Sequence, residues 1–289
     1  MNFLVKLNLQ LVVVFAFGLV VTSQVADNVL QTNAKREVIS HARLMMDAAM
    51  AARAYTNKEI KPLLANMQKT VFLPQSVPSY AATQSFNTLR ETHTDYSYKE
   101  ATLNPTNPRD RVTDWESDVV QNFRDHPELT EFIGERASST GPSLFLARPI
   151  QIKDGDCLQC HSTASAAPAP MRVLYGSDNG FGWKLGEIVG SQIVSVPLSV
   201  PILQANQAYK LIMMSMVATF IGILLLVNLI LHLTVLRPMS RIARIANDLS
   251  EGKANVEQFK VTGNDEIAVL GKSFDRMRRS LEKAMKLLG

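Results

Sequence analysis

The 289 residues leave room for one or two domains with attachments, and two cysteines are too few for a disulfide-stapled scaffold. The formal charge is +4, and the excess sits in one place: residues 236–289 hold 11 Lys/Arg against 7 Asp/Glu, while the rest of the chain is balanced at 19 of each. Attraction to anionic lipid head groups accounts for that placement, so no nucleic-acid partner is implied.

Residues 7–26 and 211–236 contain no charged side chain. At 1.5 Å per residue each is long enough to cross ~30 Å of hydrocarbon. The first lacks a good small-x-small cleavage site, with Gln24 and Ala26 at the key positions, so it reads as an uncleaved anchor rather than a signal peptide. Asn228 and His232 interrupt the second span and should face the partner helix or the interface. Lys6 precedes the first span, and Arg237, Arg241 and Arg244 follow the second. The positive-inside rule then puts both termini in the cytosol and residues 27–210 outside. The expected division is an anchor at 1–26, an outside domain at 27–210, a second span at 211–236 and a cytoplasmic module at 237–289.

The outside domain opens with an Ala-, Met- and Leu-rich stretch without glycine, which predicts one long helix over 27–66, ended or kinked at Pro62. "LPQSVPSYAA" and "NPTNPRDR" read as turns and helix caps. "WESDVVQNFRDHPEL" has helical spacing at Trp115, Val119 and Phe123. "SLFLARPIQI", "MRVLYG" and "EIVGSQIVSVPL" read as strands, "STASAAPAPM" as a loop, and "YGSDNGFGWKLG" as a tight hairpin turn. The fold class is therefore α+β, with helices first and an antiparallel sheet later, the order of a small PAS- or Cache-type sensor domain. Residues 199–209 form a short stem.

Within "DGDCLQCHST" the two cysteines, Cys157 and Cys160, are followed at once by His161. Cys-x-x-Cys-His is the spacing of c-type haem attachment: two thioethers two residues apart, then an imidazole presented to iron from the same turn. Three other readings compete. A structural zinc site needs four ligands, and only His41, His93 or His126 could complete this one. A disulfide across two residues closes too short a loop to stabilise much. A redox-active Cys-x-x-Cys belongs to a thioredoxin pattern, which is absent.

In the tail, Ile242, Ile245 and Leu249 follow a 3-4 pattern, and Ile267, Leu270, Phe274, Met277, Leu281, Ala284 and Leu288 repeat it without a break, the a/d seam of a coiled coil. Gly252, Val256, Phe259, Val261 and Gly263 lie in the connector between the two seams. With "RP" after the membrane and "DEI" ahead of "SFDRM", residues 235–289 resemble a HAMP domain. The resemblance implies two parallel helices per subunit and a four-helix bundle formed by a homodimer. No kinase, cyclase or methyl-accepting segment follows Gly289, so the output is expected from a separate cytoplasmic protein, unless the module serves only to dimerise.

A second resemblance covers most of residues 35–200. "RAYTNKEIKPLL", "FLPQSVPSYAA", "YSYKEATLNPTNPRDRVTDWE", "LARPIQI", "CLQCHS" and "YGSDNGFGWKLGEIVGSQIVSVP" resemble the c-type-haem-binding PAS-like domain of bacterial membrane receptors. It implies one covalent haem c and a redox or gas signal. That family can take its sixth iron ligand from a cysteine on the first helix, and here there is no third cysteine. The candidates on that helix are Met46, then Met50, then His41, with core filling as the alternative for the methionines and simple exposure for the histidine. Arg53 and Arg148 could meet the propionates, or form surface ion pairs.

No Ser-His-Asp set, phosphate loop or paired acids appear, so an enzyme is not expected. The expected protein is a dimeric haem sensor of the bacterial inner membrane, responding to a redox partner or a small gas. The alternatives are a tethered electron-transfer cytochrome and a structural subunit of a membrane complex.

Overall fold

The structure, a computed structural model, describes residues 3–138, 141–251 and 265–288. The chain divides into two compact units, one of residues 26–209 and one of residues 1–25 together with 210–289.

Helix α1 spans Phe3–Tyr55, so the expected helix is the latter part of a longer one. It gives way to a π-turn at Thr56–Ile60 and the four-residue α2, Lys61–Leu64. Pro62 explains the change: it has no N–H to donate, and its ring crowds the carbonyl four residues back. One wider turn absorbs both defects.

The stretch read as turns and caps contains a helix, α3 (Pro78–Arg90), with proline in its first turn, where the missing N–H costs nothing. Strand β1 (Ser97–Thr102) follows, ahead of α4 (Asp114–Asp125). Helix α4 lies where Trp115, Val119 and Phe123 place it, and a capping box helps to start it: Glu116 Oε2 accepts the Thr113 N–H at 2.7 Å. Then come β2 (Phe132–Ser138), β3 (Gly141–Gln151), the short helices α5 (Leu158–His161) and α6 (Ala169–Tyr175), and β4 (Ile188–Pro197).

The expected strand at "MRVLYG" is therefore a helix. Pro168 and Pro170 preset its first turn, and Gly176, at φ 81°, ends it by returning its N–H to the Arg172 carbonyl at 2.9 Å. The hairpin turn expected next does not join two strands; it is a loop from α6 to β4.

The sheet is antiparallel throughout, in the order β1-β4-β3-β2. Its two faces carry separate cores. Tyr98, Leu144, Leu146, Val194 and Val196 pack against Val38, Ala42, Met46 and Ala49 of α1 and Ala82 and Phe86 of α3. Ala101, Phe145, Ala147 and Ile193 face the other way, against Val119, Val120 and Phe123 of α4. Strand β4 is buried along its whole length to Val196, which is why its sequence reads as a nearly unbroken apolar run. Each fully buried side chain such as Phe123 or Leu146 contributes about 1.5–3 kcal/mol.

In the other unit, two helices are long and apolar enough to cross a membrane: the first part of α1, and α7 (Ser199–Leu231), which also takes in the expected stem. Asn8 and Asn228 exchange two amide hydrogen bonds at 3.0 and 2.8 Å, and Phe15 stacks on Phe220 at 3.6 Å. After a π-turn at His232–Leu236 come α8 (Arg237–Ser250) and α9 (Glu266–Leu288). Ile242 and Ile245 of α8 pack on Phe274 of α9. Leu270 and Met277 of the predicted seam are 45% and 58% exposed. The connector residues from Gly252 to Gly263, and the side chains of Leu281, Ala284 and Leu288, lie outside the described residues.

Candidate haem-attachment site

The site is built on the insertion between β3 and β4. Its base is closed by Ile152 N–H to Glu187 O at 2.9 Å and Gly186 N–H to Ile152 O at 2.8 Å. Asp154 Oδ1 accepts the Asp156 N–H at 3.0 Å, an Asx-turn that leads the chain into α5. Cys157 caps that helix, and its carbonyl accepts the N–H of Cys160 at 3.3 Å and of His161 at 3.1 Å. A spacing of three puts both thiols on the same side of one turn, with the imidazole beside them. The thiols are not joined to each other.

His161 is held from three directions. Its Nδ1 lies 2.7 Å from the Gly180 carbonyl, which can only accept, so Nδ1 carries the proton and Nε2 keeps its lone pair. The Thr106 hydroxyl stands 3.4 Å from the same nitrogen. The Trp183 indole stacks on the imidazole with centroids 4.0 Å apart and planes 13° from parallel. Burial lowers the imidazole pKa more than the Gly180 bond raises it, so the ring is neutral at neutral pH. A neutral imidazole with one nitrogen bound to a carbonyl and the other free is what a metal-ligating histidine needs.

The glycine-rich loop is pinned in place over this ring. Gly182 N–H donates to Ser162 O at 2.9 Å and Trp183 N–H to His161 O at 3.2 Å. Asn104, just after β1, accepts the Gly180 N–H at 3.1 Å and donates to Phe181 O at 3.2 Å. Gly180 has φ 84°, and a Cβ there would collide with Thr106, so no other residue fits without strain.

Two buried polar atoms near this loop have no hydrogen-bond partner among the described residues: Trp183 Nε1 and Arg172 Nε. Orphaned donors of this kind call for an explanation, and an anionic group beside them would supply one. Exposed apolar side chains cluster close by. Phe72 meets Tyr175 edge-on at 5.8 Å, which brings together two segments that expose Leu63, Met67 and Val71 on one side and Val173 and Leu174 on the other. Val173 is 88% exposed. A flat apolar group with acidic edges matches both the orphaned donors and this bare lining.

Among the described residues no three His, Cys, Asp or Glu side chains converge where a bare metal ion could sit, and His41 is exposed on α1. Burial pushes both thiols up, with Asp154 adding to the effect at Cys157 and Arg53 and Lys61 opposing it.

The other residues singled out from sequence are scattered. Met46 has no exposed surface and lies in the core between α1 and the sheet, which is the core-filling alternative. Met50 is 39% exposed. Arg148 forms surface ion pairs with Asp47 at 2.8 Å and Glu131 at 3.3 Å. Arg53 pairs with the buried Glu100 and acts electrostatically on Cys157. Burial lowers its pKa, but Glu100 and Tyr98 outweigh that, and the net shift is upward. Asn104, Thr106, Gly180 and Arg172 were not anticipated. The glycine run was the only local signal, because the partners of Asn104, Thr106 and Gly180 lie between 19 and 77 residues away.

The model of the Tll0287-like family matches residues 31–197, and that of the HAMP domain matches residues 230–283. The chain belongs to the Tll0287-like family and carries a HAMP domain after it. Among solved structures it is similar to the cyanobacterial heme-protein Tll0287, at 16% identity over 53% of this chain and 94% of that one, with a TM-score of 0.40. No curated protein matches the chain.

Proposed function

We propose that this protein is a membrane-anchored sensor in which a c-type haem is attached through Cys157 and Cys160 and ligated by Nε2 of His161. The observation that carries the reading is the hydrogen bond from His161 Nδ1 to the Gly180 carbonyl, which fixes the tautomer and leaves Nε2 available directly beside two unpaired thiols. The family match to a haem-protein domain and the following HAMP domain support the same reading.

A haem bound there supplies an iron whose oxidation state and ligation respond to electrons or small gases. The protein's own residues do the rest. Gly180 and Trp183 fix the imidazole plane, and Trp183 Nε1 and Arg172 Nε offer donors to acidic substituents. Arg53 links the surroundings of Cys157 to α1, the helix that also bears the first apolar span. In this reading the domain is PAS-like and periplasmic, both apolar helices span the bacterial inner membrane, and both termini are cytosolic. HAMP dimerises and passes the signal to a cytoplasmic output protein; the bare Leu270 and Met277 on α9 support a second copy there.

The test is covalent attachment. Co-expressed with cytochrome c maturation proteins, the full chain should keep a haem-stained band on a denaturing gel, and the Cys157→Ala/Cys160→Ala variant should lose it. A wild type without the band overturns the proposal.

A further inference from the structure

A cavity of about 290 Å³ is lined by residues of α3, β1, α4, β2 and β4, away from the cysteine motif in sequence. Four cationic side chains and two carboxylates line it. Two of the cations are already neutralised. Lys99 Nζ donates to Glu116 Oε2 at 2.6 Å, and Arg109 Nε stands 3.4 Å from Asp110 Oδ1. The other two, Arg90 at the end of α3 and Arg136 on β2, have no ion-pair partner among the described residues. The Arg136 guanidinium lies 4.3 Å over the Trp115 ring, which holds it in place without neutralising it.

Two unpaired guanidiniums from separate elements, lining one cavity, set up a positive potential there. A guanidinium fork matches a carboxylate in geometry as well as charge. The volume is at the small end for organic ligands, which fall near 300 Å³ and above. Ser97 and Ser195, paired across β1 and β4, add hydroxyls to the lining.

We infer that this cavity is a binding site for a small organic carboxylate, held by Arg90 and by Arg136, which Trp115 seats. The site is separate from the haem reading and stands whether or not haem is attached. It has a route to α1: Tyr98 lines the cavity and donates its hydroxyl to Glu100 at 2.8 Å, and Glu100 holds Arg53. A chain of paired side chains thus runs from the cavity lining to Arg53 on α1.

Calorimetric titration of the detergent-solubilised full chain with succinate, malate and glutamate tests the assignment, with inorganic phosphate as the control anion. The expected result is saturable binding of at least one carboxylate at a Kd of ~1 mM or tighter, stronger than phosphate. Arg90→Gln and Arg136→Gln should each weaken it about tenfold or more, the loss of one charge-assisted bidentate contact, with the thermal midpoint and haem absorption unchanged. Arg90 is exposed, so its variant is expected to fold even if the Arg136 variant does not. No saturable binding of any of the three, equal or tighter binding of phosphate, or affinity unchanged in Arg90→Gln would each overturn the inference.

Discussion

Arg53 on α1 and Glu100 on β1 form an ion pair in which one guanidinium nitrogen reaches both carboxylate oxygens, and only 6% of the Glu100 side chain is exposed. Glu100 also accepts the Tyr98 hydroxyl, and burial together with that carboxylate pushes the phenol pKa up, so Tyr98 stays protonated. Removing one partner strands the other. Arg53→Met is expected to cost on the order of 3 kcal/mol, and the double variant Arg53→Met/Glu100→Leu to cost less than either single change. Thermal unfolding of the four proteins measures the coupling; additive losses would show that the pair is energetically independent.

Gly180→Ala places a Cβ against Thr106 in a backbone conformation that costs an L-residue about 1–2 kcal/mol. The carbonyl that orients His161 should move with it. The expected outcome is retained covalent haem with a shifted absorption spectrum and faster binding of added imidazole. An unaltered spectrum would show that Gly180 does not position the ligand.

Met46 sits in the apolar core, so Met46→Ala should lower stability by about 2–5 kcal/mol, while Met46→Leu should be nearly neutral. Met46→Leu also removes the thioether. Its haem spectrum and CO binding should match wild type, and a changed spectrum in that variant would return Met46 to the iron.

Asp110 gives a pH dependence. Burial, with Glu100 adding to it and Arg109 and Lys99 opposing it, raises its pKa from 3.8 to about 6. Arg90, Glu116 and Arg136 line the same cavity from α3, α4 and β2. A carboxyl with a raised folded pKa favours folding only in its protonated form. It therefore imposes no penalty below pH ~4, a growing one between ~4 and ~6, and a constant one above, on the order of 1–2 kcal/mol after solvent screening. Asp110→Asn should unfold at a higher temperature than wild type at pH 7 and at nearly the same temperature at pH 4. A constant difference across that range would contradict the assignment.

In the tail, Leu270 and Phe274 separate two roles. Phe274 is buried against Ile242 and Ile245 of the same chain, and Leu270 is bare. Leu270→Glu should abolish disulfide crosslinking of a Met277→Cys reporter in intact membranes while leaving helix content intact. Phe274→Glu should reduce both.

Legibility in the sequence followed the locality of the contacts. Strands β3 and β4, helix α4, the apolar helices and the Cys-x-x-Cys-His turn are written in neighbouring residues. Strand β1 is hidden because "SYKEAT" puts two charges, Lys99 and Glu100, into a strand packed against helices, and each is matched by a charge far away in sequence, Glu116 and Arg53. Strand β2 hides behind Gly134, Glu135 and Arg136 at a sheet edge. "MRVLYG" misled because its β-branched and aromatic residues reflect a bare surface, with Val173 and Leu174 exposed, rather than a pleated core. At the site, the motif was plain, but the atoms that orient it come from the loop after β1 and from the glycine-rich loop, which only the folded chain brings to His161.

The paired amides of Asn8 and Asn228 have a mechanical consequence. Each side chain both gives and receives, so the two helices fit in one register, and sliding one past the other by a turn, about 5.4 Å, parts both bonds at once. The pair then works as a detent: small displacements spring back, and only a push strong enough to clear the notch carries α7 to a new seat, so motion along this axis is a click rather than a glide.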